Sequence, residues 1–180
     1  IYVLGDIIDK APDSIRLAKL LFSMPNVCCI AGNHEYDFLK YYRALMKQTE
    51  DYDRVLQELR DYFPDGALLD KVIGVHAGIP VKGGELLPVS QATCEQLVYD
   101  RVFKEPDVLP QGGKCILYGH TPVRYLTGRD EILFYSRNGA TKDSRNIADY
   151  CKIHLDTGVF LGGVLGCVAV DSCLRFYVND

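Results

Sequence analysis

The chain has 180 residues, 48% apolar and 24% charged, with a formal net charge of −4 at neutral pH. That is ordinary globular composition, long enough for a single domain to bury its own core. It excludes a general attraction to nucleic acid or to an anionic membrane, no basic cluster offers a phosphate-backbone footprint, and no apolar run reaches the length of a membrane span.

Ile1–Leu4 reads as a buried strand and Pro12–Met24 as an amphipathic helix with Pro in its first turn. Val27–Ala31 is a second short apolar run, and Asp37–Tyr62 has helical spacing. Val72–His76 reads as a third strand, Gly83–Leu87 as a loop, Gln91–Phe103 as a helix and Cys115–Tyr118 as a fourth strand. From Val123 onward the period shortens, and Tyr125–Thr127, Ile132–Tyr135, Lys152–Leu155, Val164–Val170 and Leu174–Val178 read as strands joined by turns. Strand-helix alternation followed by a mostly β half describes one α+β domain over residues 1–180. The seven cysteines are an odd number with no C-x-x-C spacing. They fit reduced, buried thiols in a cytoplasmic protein.

Four strands end alike. Leu4 is followed by Gly5-Asp6, Ala31 by Gly32-Asn33-His34, Val75 by His76, and Tyr118 by Gly119-His120. Each ending sets a metal-competent or acid/base side chain just past a strand's carboxyl end, the rim where open α/β sheets bind ligands. Taken singly, each has a plainer reading. Asp6-x-x-Asp9 is more often a turn or helix cap, Gly32-Asn33 a turn, His76 a core histidine, and His120 before Thr-Pro a turn residue. Yet three of the four histidines occupy such positions, and the set as a whole points to one metal-binding or acid/base site.

In this order, GDIIDKAPDS, AGNHEYD, GVHAGIP and YGHTPV resemble the signature blocks of the calcineurin-like metallophosphoesterases. The branch most similar is that of the bacterial PPP-type serine/threonine phosphatases and symmetrical diadenosine tetraphosphatases. QLVYDRVF resembles the segment that carries a phosphate-binding Arg, and IHLDTGVFLGGVLGCVAV the family's closing strands. The resemblance implies a four-layer αββα sandwich with two mixed β-sheets. It implies two divalent ions, Mn first and Fe or Zn next, which the mixed O/N donors suit. Asp6 would bridge both ions, and Asn33, His76 and His120 would complete the second. A metal-bridging hydroxide would attack phosphorus in line. His34 would be the general acid, oriented by Asp9, while Lys10, Arg101 and Asn33 would hold the phosphate.

The family's first block, D-x-H, is absent from this sequence, so the first metal is left with Asp6 alone. The expectation is that the family's first strand is missing, that Ile1–Leu4 is its second, and that the 180 residues bind about one metal with little turnover. Lys10-Ala11 stands where Arg-Gly is usual, a point charge in place of a bidentate fork. Tyr99 stands where Trp is frequent, and His154, in the order His-Leu-Asp, reads as structural. The expected substrate is a phosphoserine or phosphothreonine protein, or another small phosphoester, favoured by the short Lys82–Val89 loop. The alternatives are a symmetrical bis(5'-nucleosyl) tetraphosphate or a non-catalytic binding module. An aspartic protease reading of Asp156-Thr157-Gly158 needs a second such carboxylate.

Overall fold

A computed structural model describes residues 1–46, 67–68, 70–82, 85–110, 113–137, 140–141 and 143–178. Strand β1 (Tyr2–Val3) pairs in parallel with β2 (Cys28–Cys29), joined by helix α1 (Ser14–Ser23). Helix α2 runs Asn33–Met46. A five-stranded mixed sheet follows in the order β3 (Ala67–Leu68), β4 (Val72–Gly74), β7 (Cys115–Tyr118), β9 (Tyr150–His154), β8 (Leu133–Ser136). Its centre is parallel, with Ile73 opposite Ile116 and Leu117 opposite Ile153, while β3 and β8 run antiparallel at the edges. Two antiparallel pairs complete the described strands, β5 (Val81–Lys82) with β6 (Glu85–Leu86) and β10 (Leu165–Ala169) with β11 (Leu174–Val178). Where the resemblance implies two mixed sheets, the described strands thus form four hydrogen-bonded sets. The sharp turns at Gly5 and Gly32 end β1 and β2 early, leaving each only two paired residues.

Three apolar clusters fill the interior. Val75, Ile79, Leu97, Phe103, Ile116 and Tyr118 pack on one side of the large sheet. Val72, Cys115, Leu117, Ile132, Tyr150 and Ile153 belong to a second cluster. Ile7, Ala18 and Cys29 seat α1 against β2. Four of the cysteines (Cys29, Cys115, Cys151, Cys173) are buried. No helix among the described residues is long and apolar enough to cross a membrane.

Four segments differ from their sequence reading. Helix α2 starts at Asn33, four residues before the expected Asp37, and the expected continuation over residues 47–62 lies outside the described residues. The Gly83–Leu87 loop carries β6, which pairs back on β5. The helix expected over Gln91–Phe103 shrinks to α3 (Cys94–Tyr99) after a single 3-10 turn at Val89–Gln91. Thr93 and Gln96 form a capping box at its start, and at its end Asp100 Oδ1 accepts the N–H groups of Val102 (3.0 Å) and Phe103 (2.6 Å), turning the chain away. Tyr125–Thr127, read as a strand from the shortened period after Val123, is the short helix α4 (Arg124–Thr127). Gly128 closes it at φ +75°, with its N–H on the Arg124 carbonyl. Cap chemistry overrides β-propensity there.

Two buried polar residues brace the large sheet. Lys152 donates from Nζ to the carbonyls of Phe103 (2.7 Å) and Glu105 (2.6 Å) and lies over the ring of Tyr135, 4.6 Å from its centroid. Burial pushes its pKa down to about 8. His154, with no exposed surface, stacks on Tyr118 at 4.4 Å, and its Nε2 donates to the Thr121 carbonyl across 2.7 Å. Burial lowers its pKa to about 4. The folded chain therefore keeps His154 neutral while the unfolded chain takes up a proton below its ordinary value. Stability attributable to this residue falls as pH drops from about 6.5 toward 4, by about 3 kcal/mol at full extent. In His154→Gln an amide N–H can still reach Thr121, and nothing titrates. The variant should lose less stability than wild type between pH 7 and pH 4.5 in urea unfolding, and an identical pH slope would contradict this account.

Candidate metal centre

The carboxyl ends of two parallel strand pairs meet at one imidazole. His76, just past β4, donates from Nδ1 to the Leu4 carbonyl at the end of β1 across 2.6 Å. A carbonyl only accepts, so the proton sits on Nδ1 and the neutral ring presents the lone pair of Nε2 on its other side. Facing that nitrogen are Asn33 Oδ1 at 3.2 Å, His120 Nδ1 at 3.1 Å and Asp6 Oδ1 at 3.3 Å. The ligand atoms of Asp6, His76 and His120 all lie within 4.8 Å of one another. Four acceptor-type atoms so gathered repel one another unless a cation lies among them.

Electrostatics and orphaned groups agree with that requirement. Burial would depress the pKa of His76, but the hydrogen bond and charge of Asp6 outweigh it and raise it. Burial likewise pushes the Asp6 carboxyl up, and His76, aided by the His34 backbone, more than reverses that and holds it below the usual carboxylate range. Positive charge is thus favoured at Nε2. His120 is pushed down to about 4, first by burial and then by the neighbouring charges of His76 and Arg101, so it stays neutral and able to donate a lone pair. Its Nε2 is buried without a hydrogen-bond partner among the described residues. The donor set of two imidazoles, one carboxylate and one amide oxygen fits a divalent transition ion such as Mn²⁺, Fe²⁺ or Zn²⁺.

Backbone conformation makes this convergence possible. Asp6 (φ +56°), Asp9 (φ +90°) and His120 (φ +70°) are all left-handed without being glycine, a conformation that costs of order 1–3 kcal/mol each and clusters at functional sites. At Gly5 a Cβ would strike the backbone of Gly32, and at Gly32 one would strike the Asp6 carboxylate. The two turns can approach only because both lack side chains.

The other expected residues take distinct places. His34 Nδ1 lies 2.8 Å from Asp9 Oδ2, and the His34 N–H donates to Asp6 Oδ1 across 3.3 Å, so this pair borders the cluster. Arg101 is exposed, and its Nη1 donates to Thr121 Oγ1 across 3.3 Å, one residue beyond His120. Lys10 is turned onto the ring of Phe160, 4.5 Å from its centroid. Tyr99 stands edge-on to His120 (6.4 Å) and to Tyr36 (6.1 Å). Sequence reasoning passed over Thr121, whose hydroxyl takes Arg101 and whose carbonyl takes His154. It also passed over Glu35, which follows His34 and is completely buried. The only sequence signal for Glu35 was an acid directly after Gly-Asn-His.

A strand-rim cluster of this composition could hold a divalent cation, and comparison with known proteins gives the family. The model of the calcineurin-like phosphoesterase family matches residues 1–162, and the chain belongs to that family. A curated relative, the symmetrical bis(5'-nucleosyl)-tetraphosphatase of Wigglesworthia glossinidia brevipalpis, is 30% identical over 95 residues, covering 44% of this chain. The match spans 34% of that relative's length, about a third. A crystal structure described provisionally as a diadenosine tetraphosphatase superposes with a TM-score of 0.64 at 17% identity, covering 98% of this chain and 78% of the other. That likeness shows the calcineurin-like fold.

Calorimetric titration with Mn²⁺ should give about one ion per chain. His76→Ala should weaken binding by more than the roughly 10–100-fold typical of losing an outer partner of a ligand. Wild-type affinity in His76→Ala would place the cation elsewhere.

Proposed function

We propose that this chain is a metal-dependent phosphoester hydrolase whose substrate is a bis(5'-nucleosyl) tetraphosphate, cleaved symmetrically to two nucleoside diphosphates. The observation that carries the reaction class is the convergence of Asp6, Asn33, His76 and His120 beside the His34–Asp9 pair. A divalent cation held by those four residues would neutralise phosphoryl oxygens and acidify a water.

The remaining roles fall to this chain's own groups. Asp9, 2.8 Å from His34 Nδ1, fixes the orientation of the ring and leaves Nε2 for the departing phosphate oxygen, as a general acid requires. Arg101, whose guanidinium is oriented by the Nη1 bond to Thr121, and the amide of Asn33 are the phosphate contacts. Lys10 joins them by leaving the face of Phe160, a short swing for a flexible four-carbon stem.

The choice of substrate is supported by the relative named for the same symmetrical cleavage. It reverses the order expected from sequence, in which a phosphoprotein came first. One observation still favours the phosphoprotein: the described residues between Pro80 and Leu87 pair as the two-residue strands β5 and β6, and the Leu87 N–H bonds to the Pro80 carbonyl, so few residues are spent on this stretch. The sequence contains no D-x-H, and the described donors serve one cation, so turnover by these 180 residues should be slow. The informative quantity is then the product. With Mn²⁺ supplied, ADP release from diadenosine tetraphosphate should exceed phosphate release from a phosphoserine peptide, and His34→Asn should reduce it at least about 100-fold. Predominant phosphate release from the peptide would reverse the assignment.

A further inference from the structure

Glu35 occupies the first turn of α2, where an acid ordinarily serves its own helix's dipole. Here it reaches away. Oε2 accepts from the N–H groups of Asp6 (2.7 Å) and Gly32 (2.8 Å), and Oε1 from those of Ile7 (2.7 Å) and Ile8 (2.9 Å). An ionised carboxylate offers about four lone-pair sites and no donor, so these four amides saturate it. Three of them are consecutive and form a concave anion nest of the kind turns create. The nest depends on the left-handed backbone of Asp6, and that conformation persists only if surrounding contacts hold it.

The same carboxylate therefore clasps the turn after β1, which carries Asp6, to the turn after β2, which carries Asn33 and His34. We propose that Glu35 is a positioning residue of the metal centre. It touches no cation, yet it holds Asp6 and the Asn33–His34 turn in one frame, so cation affinity depends on it. The inference rests on reading Asp6, Asn33, His76 and His120 as the cation site. A residue that served folding alone would lower stability without changing the affinity of the folded molecule.

Glu35→Gln tests this by placing an amide –NH₂ against two backbone donors. Mn²⁺ affinity, measured calorimetrically well below each protein's melting temperature, should fall about 10–100-fold, the range found for outer partners of metal ligands. In the metal-free protein, amide exchange at Asp6 and Gly32 should accelerate together. Ser14→Ala is the comparator: Ser14 Oγ accepts the Asp9 N–H at 3.3 Å in the same loop but not the Asp6 N–H, and its loss should lower stability while leaving Mn²⁺ affinity unchanged. Should Glu35→Gln not fold, Glu35→Asp decides, since the shorter acid keeps its charge but reaches fewer amides and should show the same direction of change. Wild-type affinity in the folded Glu35 variant, with lowered melting temperature, overturns the proposal. Binding lost in His76→Ala but unchanged in the Glu35 variant overturns this inference alone. A wild-type chain that takes up no Mn²⁺ overturns both the inference and the reading beneath it.

Discussion

The Nδ1–H of His76 on the Leu4 carbonyl ties the end of β4 to the end of β1, and the organisation of the rim follows from that bond. It chooses the tautomer, so Nε2 faces Asp6, Asn33 and His120 as a lone pair. It also joins the small parallel pair β1–β2 to the five-stranded sheet at the edge where ligand-bearing turns emerge. On the far side of His76 its carbonyl accepts the Gly119 N–H across 2.7 Å, bringing in the turn that bears His120. One residue thus holds three loops by backbone and ring together, and His76 itself is buried, where the local dielectric strengthens such bonds.

Behind that rim the support is polar as well as apolar. His154 fixes the carbonyl of Thr121, whose hydroxyl takes Arg101. Lys152 pins the carbonyls of Phe103 and Glu105, which follow Arg101 in the chain. The segment that offers Arg101 to solvent is therefore anchored to β9 on its far side by Lys152, and the Arg101 side chain itself to the Thr121 loop that β9 supports. A guanidinium oriented through one nitrogen by Thr121 suits a site that must grip phosphate from one direction. Lys10, with only an aromatic face beneath it, has far more freedom.

The sequence read well where local rules decide. Strands β1, β2, β4 and β7 to β11 were legible from apolar runs, and all four rim positions from the residues that follow the strands. The misses have local causes too: Gly128 and the Arg124–Asp130 pair make a helix of an aromatic, β-branched stretch, and Asp100 stops α3 by bonding the amides beyond it. The start of α2 at Asn33 was hidden because Gly-Asn reads as a turn. What no local rule reaches is long-range hydrogen bonding. Glu35 bonds amides 27 to 29 residues away, and nothing in its own neighbourhood distinguishes it from a surface acid at a helix start. His154 was read as structural, and its link to Arg101 through Thr121 exists only in three dimensions.

Three side chains at this rim, those of Asp6, Asp9 and His120, sit on left-handed backbone that glycine would adopt freely. Function and thermal robustness therefore pull against each other at these positions. Replacement by glycine relieves the backbone and removes the chemistry, so selection for heat resistance alone would erode the site first. Beta-branched residues are barred for the opposite reason, since they can neither accept the backbone nor supply the donor. The evolutionary routes open to these positions are narrow, and drift in this chain should be sought in the sheet edges and the exposed faces of α1 instead.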